Sequence, residues 1–293
     1  MTSYERQLAE EAERWGAEAE KQAESIPPDW RYHRRLRHNV IIHAANIDEL
    51  LNHVRPGMTA LELGCGSGWL SLAMAQRGAH VTGLDISARA LDIARAYYAS
   101  IQHEVGGSVA YQVADLNALD LPPEHYDVIA IKGTLHHLVN LKHIVEQMHR
   151  ALKPGGLLWI ADSHGEETMP AVLIASALMF LLPTHVSYAD KLRGLLRFRA
   201  GAPARIKASI EAQGLSPFEG AGREHDWLAL VEERFIVERR VASPAFTGYI
   251  IAQLKAPDTL AIPFLRLLRS ADHLLVRLGL LKSTGVLLYA RKR

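Results

Sequence analysis

The chain has 293 residues, 48% apolar and 22% charged, a balance that supports a sizeable core and excludes a disordered or fibrous chain. A formal net charge of +1 supplies no field that would argue for nucleic acid as a partner. A single cysteine, Cys65, excludes an internal disulfide framework and any multi-cysteine metal or redox site, which fits a cytoplasmic setting.

Residues 1–24 are rich in Glu and lack an apolar centre, unlike a secretory signal or an acid-poor transit peptide. Over 4–25 charges of both signs alternate among alanines, which predicts a solvated helix ended by Pro27 and Pro28. Arg31, Arg34, Arg35 and Arg37, interleaved with His33 and His38, read as a solvated helix face or as a contact for an anionic group on a substrate or membrane. Val40, Ala44, Ile47, Leu51 and Val54 recur at helical spacing and predict a packing helix over 39–54.

From residue 58 the pattern changes. Short apolar runs at 60–63, 80–84, 109–113, 128–131 and 157–161 read as buried parallel strands. A helical face of Leu141, Ile144, Val145, Met148 and Leu152 is followed by the stop signal Pro154-Gly155-Gly156. This alternation predicts an α/β fold, a Rossmann-like doubly wound sheet. Two later runs, 235–241 and 286–290, would complete a mainly parallel seven-stranded sheet whose last strand is antiparallel, the pair forming a hairpin-like edge. The segments 164–222 and 243–283 are helical in pattern and too long for simple connections, so they are expected to be cap insertions forming a lid.

The expected organisation is therefore an N-terminal helical segment at 1–56, a ligand-binding core at 57–163, a cap at 164–222, a core helix and strand at 223–242, a second cap at 243–283 and a last strand at 284–293. The longest apolar run, 171–182, ends at Pro183 and falls short of the roughly 20 residues that span a bilayer.

Between the first predicted strand and its helix stand Gly64, Gly66 and Gly68, where backbone must turn sharply and approach a ligand closely. A dinucleotide fold wants its third glycine one position later, where Trp69 stands, which disfavours NAD. Asp85 ends the second strand, 19 residues after Gly66, where an open α/β sheet presents a carboxylate to a ribose diol. Asp115 follows the third strand, placed to accept from an adenine amino group. All three features lie at the strand C-terminal edge, where such sheets bind ligands.

Residues 58–162, about a third of the chain, resemble the class I S-adenosylmethionine-dependent methyltransferases, and more narrowly the small-molecule subgroup that includes sugar and natural-product O-methyltransferases. The resemblance implies S-adenosylmethionine as cofactor, S-adenosylhomocysteine as product, and Glu62, Gly64, Gly66, Asp85 and Asp115 as cofactor contacts. Cys65, Gly68, Ile86, Leu116 and Lys132 are placed in the same cofactor-binding set, Cys65 as a small residue of a tight loop.

After the fourth strand His136 and His137 reach the mouth of this crevice, and histidine titrates near neutrality as a general base should. Asp162, ending the fifth strand, would orient His136 and stabilise its protonated form. The subgroup resemblance implies the same pairing on a substrate hydroxyl. His137 is a further catalytic candidate, with His164 and Glu166 as alternative bases, while a helix-starting or substrate-lining role fits the His-His pair equally. No His, Cys or acidic spacing matches a metal site, so no metal is expected.

The expected function is methyl transfer to a hydroxyl of a small, partly apolar metabolite such as a polyketide or a glycosylated or lipid-linked natural product. A C- or N-methyltransferase acting on a quinone or lipid, or a non-catalytic S-adenosylmethionine-binding partner, shares the same cofactor residues. The apolar cap residues between 173 and 181 and between 264 and 278 read as packing against the core or as an acceptor surface, and the basic amphipathic stretch 263–282 suits peripheral contact with a membrane. The sequence sets no oligomeric state.

Overall fold

A computed structural model describes residues 2–164, 168–198, 218 and 226–293. Its strands are β1 (Thr59–Leu63), β2 (His80–Asp85), β3 (Ser108–Val113), β4 (Tyr126–Lys132), β5 (Leu152–Ser163), β6 (Phe235–Ala242) and β7 (Gly285–Lys292). They form one seven-stranded sheet in the order β3-β2-β1-β4-β5-β7-β6. β1 to β5 pair in parallel. β7 runs antiparallel to both β5 and β6. The doubly wound, mainly parallel sheet with an antiparallel last strand is thus the one the apolar runs predict.

The helices are α1 (Ser3–Ser25), α2 (Ala44–His53), α3 (Trp69–Ala75), α4 (Ala88–Ile101) and α5 (Leu141–Ala151), followed by α6 (Met169–Leu181), α7 (Tyr188–Phe198), α8 (Trp227–Arg234), α9 (Thr247–Gln253) and α10 (Asp258–Arg277). Successive strand residues face opposite sides of a sheet, so strands covered on both faces must be apolar throughout. Leu61, Leu63, Ile129, Ile131, Leu158 and Ile160 bury on one face against α5 and α8. Ala60, Val128, Ala130, Leu157, Trp159 and Ala161 bury on the other against α2 and α3. Strand order reverses between β1 and β4, and the loops after these two strands open the crevice of an open α/β sheet.

β6 and β7 pair antiparallel at one end of the sheet, as expected of the last two strands, with β6 at the edge and β7 between β5 and β6. Residues 285–290 of β7 are buried on both faces, whereas in β6 only Phe235 is buried, as suits the edge. The helix predicted over 39–54 forms, with a π-helical turn at Asn39–His43 that runs directly into α2.

One expectation needs correction: α1 is not solvated all round. Its start is fixed by a capping box of Thr2 and Glu5. One face, with Glu11, Gly16 and Ala19 buried, lies across the C-terminal edge of the sheet. At Gly16 an added Cβ would meet Ser87 Oγ at 2.8 Å and Arg89 Cβ at 2.9 Å, so α1 and α4 approach here as only glycine allows. Arg89 of α4 clamps the exposed side by pairing with both Glu13 and Glu20.

The basic stretch proves mostly structural. Arg34 pairs with Asp48 at 2.8 Å and Arg35 with Asp29 at 2.6 Å. Arg37 ties the chain to the start of α10 through Asp258 and the Leu254 and Ala256 carbonyls. α6, α9 and α10 share a separate apolar cluster in which Ile41, Phe246, Ile250 and Leu265 are buried. Leu260, Leu267 and Leu274 of α10 remain exposed on its outer side. Among the described residues no helix is long and apolar enough to cross a membrane. Within the first cap, 165–167, with Glu166, as well as 199–217 and 219–222 lie outside the described residues.

Candidate active site

β1 delivers its chain into the loop of Gly64 to Gly68. The Gly64 and Cys65 amides both donate to the Leu84 carbonyl, at 2.8 and 3.0 Å, which pins the loop to the end of β2. Gly64 has φ +71°, and a Cβ there would fall on the Thr134 side chain. Gly68 has φ +76°, and a Cβ there would fall on the Tyr111 ring. Both positions therefore demand glycine for backbone angle and for space.

Carboxylates ring this loop. Asp85 accepts the Gly66 amide at 2.7 Å and the Ser87 amide at 2.8 Å. Burial pushes the Asp85 carboxyl up, and the backbone amides of Ser87, Gly66 and Ile86 oppose that rise. Glu62, on β1, is buried with its carboxyl bonded by the Ser71 hydroxyl. Burial pushes it up to about 8, against the Ser71 hydrogen bonds. Asp115, after β3, accepts the Asn117 amide at 2.9 Å and the Tyr4 hydroxyl at 2.7 Å.

These groups line a cavity of about 240 Å³. Gly64, Cys65, Gly66, Ile86, Leu116 and Lys132 line it as well. Gly68 does not reach it; its carbonyl accepts the Tyr111 hydroxyl at 3.0 Å. The roof is α1, with Leu8, Glu11, Trp15 and Ala19 on the cavity wall, while Phe218 is the one described residue of the later insertions that reaches it. This roof was missed in the sequence because alternating charge dominates α1. Its signal was the run Tyr4, Leu8, Trp15, Ala19 and Gln22, which falls along one helical face.

His136 and His137 follow Gly133 in a short 3₁₀ turn and diverge in role. His136 Nδ1 lies 2.6 Å from Asp162 Oδ1, which realises the expected pair. Asp162 also accepts the amides of Thr134, Leu135 and Ser163 at 2.7 to 2.8 Å, so it fixes the whole loop after β4. The His136 ring lines neither this cavity nor the second one described below. His137 is buried, lines the cavity and sits 3.4 Å from Glu11 of the roof, with its ring edge-on to Trp15. His164 lies 3.8 Å from Asp226, with its ring edge-on to Trp227.

A second cavity, of about 280 Å³, opens between the ends of β5 and β7 and the helices α9 and α10. The two cavities share Lys132 and Gly133 at the end of β4. Burial lowers the Lys132 ammonium, and the nearby Asp162 and Glu62 carboxyls oppose this. Among the described residues no group of three His, Cys, Asp or Glu side chains is placed to hold a metal ion.

Comparison with known proteins settles what this framework is. Residues 61–160 match the family described as "Methyltransferase domain". The chain carries a class I S-adenosylmethionine-dependent methyltransferase domain. The chain is 35% identical over 130 residues to a ubiquinone biosynthesis O-methyltransferase of Pseudomonas paraeruginosa, covering 43% of this chain and 54% of that protein. A protein of the same name from Idiomarina loihiensis is 39% identical over 106 residues, covering 36% and 42%. The chain thus spans about half the length of the curated relatives it matches. Geranyl diphosphate C-methyltransferase from Streptomyces coelicolor shares the methyltransferase fold, with TM-score 0.52 at 16% identity over 85% of this chain and 78% of that one.

The methyltransferase domain's cavity suits its cofactor chemically. Glu11, Glu18, Glu62, Asp85 and Asp115 face one lysine, Lys132, a lining that favours a ligand bearing an ammonium and a sulfonium over one bearing a pyrophosphate. The Gly66 amide, which a phosphate would need, is already spent on Asp85.

Proposed function

We propose that this protein is a cytoplasmic enzyme that transfers a methyl group from S-adenosylmethionine to a hydroxyl of a small, partly apolar metabolite, of the polyketide, glycosylated or lipid-linked natural-product kind. One observation carries the reading: a carboxylate-lined cavity at the glycine loop and a second cavity meet at Lys132 and Gly133, so a donor and an acceptor can face each other across the end of β4. The O-methyltransferase names of the relatives support oxygen as the acceptor atom.

In this reading Glu62 holds the cofactor's ammonium end, Asp85 its ribose and Asp115 its adenine, with the Gly64 to Gly68 backbone against the methionine part. The cofactor supplies an electrophilic methyl on a sulfonium. The chain's own contribution is alignment, exclusion of water by α1, and removal of the acceptor's proton, alignment alone being worth several kcal/mol. Asp162 holds His136 through Nδ1, and because this ring lines neither cavity, an acceptor hydroxyl must extend beyond them to give its proton to Nε2, where the Asp162 carboxylate stabilises the imidazolium.

The test is turnover and binding in His136→Ala. Turnover with a hydroxyl acceptor should fall by about 10² to 10⁴, the usual share of a general base, while affinity for S-adenosylhomocysteine stays within a factor of two or so. Unchanged turnover removes the base role, and a flat pH profile in the parent enzyme points to a carbon or nitrogen acceptor instead. Absence of S-adenosylhomocysteine binding to folded protein would overturn the function itself.

A further inference from the structure

The geometry points to the second cavity as the seat of an anionic group, a carboxylate or phosphate, carried by the acceptor. The inference rests on the methyltransferase reading for the word acceptor, but the anion site itself stands on the cavity's own residues.

Cationic and cationisable side chains converge there. Lys132 comes from β4, His38 and His43 from the turn before α2, and Arg269 from α10. The two histidine rings are 5.4 Å apart. Arg269 is half-buried, and among the described residues it makes no ion pair, in contrast to Arg37, Arg234 and Arg239, each held by a carboxylate. A guanidinium that turns inward from an amphipathic helix and meets no carboxylate is suited to planar, bidentate capture of an oxyanion.

The one acidic side chain among the described lining residues is Asp162, and its oxygens are already engaged by three backbone amides and His136. Burial first, and then Lys132, His38 and Arg269, lowers the His43 imidazole well below its usual range, and burial lowers His38 too, so the standing positive charges that face the cavity are those of Lys132 and Arg269. The remaining wall, with Ile42, Val286 and Leu287, is apolar. The cavity is therefore opposite in sign to its neighbour at the glycine loop, and the pair would sort a cationic donor from an anionic, partly apolar acceptor across Lys132 and Gly133.

The experiment titrates the full chain, with and without S-adenosylhomocysteine, with benzoate in one arm and inorganic phosphate in the other. Binding is followed by calorimetry and by the ring-carbon NMR signal of His43. Saturable binding of at least one probe is expected, benzoate alone marking a carboxylate site and phosphate alone a phosphate site. Arg269→Gln should weaken that binding at least tenfold. Gly248→Asp adds a carboxylate where a Cβ meets nothing within 4 Å, removes no native contact, and should abolish it. Affinity for S-adenosylhomocysteine should be unchanged in both variants. No saturable binding of either probe, or equal binding in parent and variants, would overturn the site. Probe binding without S-adenosylhomocysteine binding would keep the anion site and overturn the methyltransferase reading, so the two failures are distinguishable.

Discussion

The Tyr4 hydroxyl donates to Asp115 Oδ2 at 2.7 Å, joining the first turn of α1 to the end of β3 across 111 positions of sequence. Burial, then this bond and the charge of Asp115, pushes the phenol up to about 12. The bond latches the roof of the cofactor cavity. A hydrogen bond to a charged group contributes about 1.5–3 kcal/mol, so Tyr4→Phe should speed release of S-adenosylhomocysteine by roughly tenfold or more. Stopped-flow release rates measure this, and slower release would show that Tyr4 instead competes with the ligand for Asp115.

Gly64 tests the glycine loop. Gly64→Ala forces a Cβ onto Thr134 at a φ of +71°, a strain on the order of 1–3 kcal/mol before any clash is relieved. We expect loss of S-adenosylhomocysteine affinity by more than tenfold with the far-ultraviolet dichroism retained. Parent-like affinity would show that the loop does not approach the ligand.

Glu62 sets a pH dependence of stability. Its native carboxyl, raised to about 8 by burial, keeps a proton that the unfolded chain releases near 4.5. The native state therefore binds more protons across this window, and stability from this group, complete below about pH 4.5, declines as pH rises toward 8, by at most about 1.4 kcal/mol per pH unit. Urea midpoints taken from pH 5 to pH 8 should show this decline in the parent, and Glu62→Gln should remove most of it. A cationic ligand beside Glu62 should release its proton, seen as a buffer-dependent binding enthalpy at pH 7.

Asp272 tests the packing of α9 against α10. Fully buried in α10, it accepts the amides of Ala245, Phe246 and Thr247 and the Thr247 hydroxyl at 2.7 to 2.9 Å, and so anchors the start of α9. Asp272→Ala leaves these donors without an acceptor in a dry interior, at a cost of about 3–5 kcal/mol. Denaturant unfolding measures it, and a loss below about 1 kcal/mol would mean that water replaces the carboxylate.

The sheet and the cofactor edge were legible in the amino-acid sequence because they depend on local rules. Apolar runs such as 128–131 and 157–161 have one buried use, and glycines at 64, 66 and 68 followed by carboxylates at 85 and 115 fall on one edge wherever strands run parallel. What covers that edge was not legible. The charges of α1 read as solvation, and only the folded chain shows Arg89 neutralising them while Tyr4, Glu11 and Trp15 turn inward. The place of β7 inside the sheet, and the convergence of Arg269 with His38, His43 and Lys132, likewise belong to tertiary structure. Local pattern dictates which face of an element is apolar, whereas partners more than a hundred residues apart meet only through the packing of whole elements.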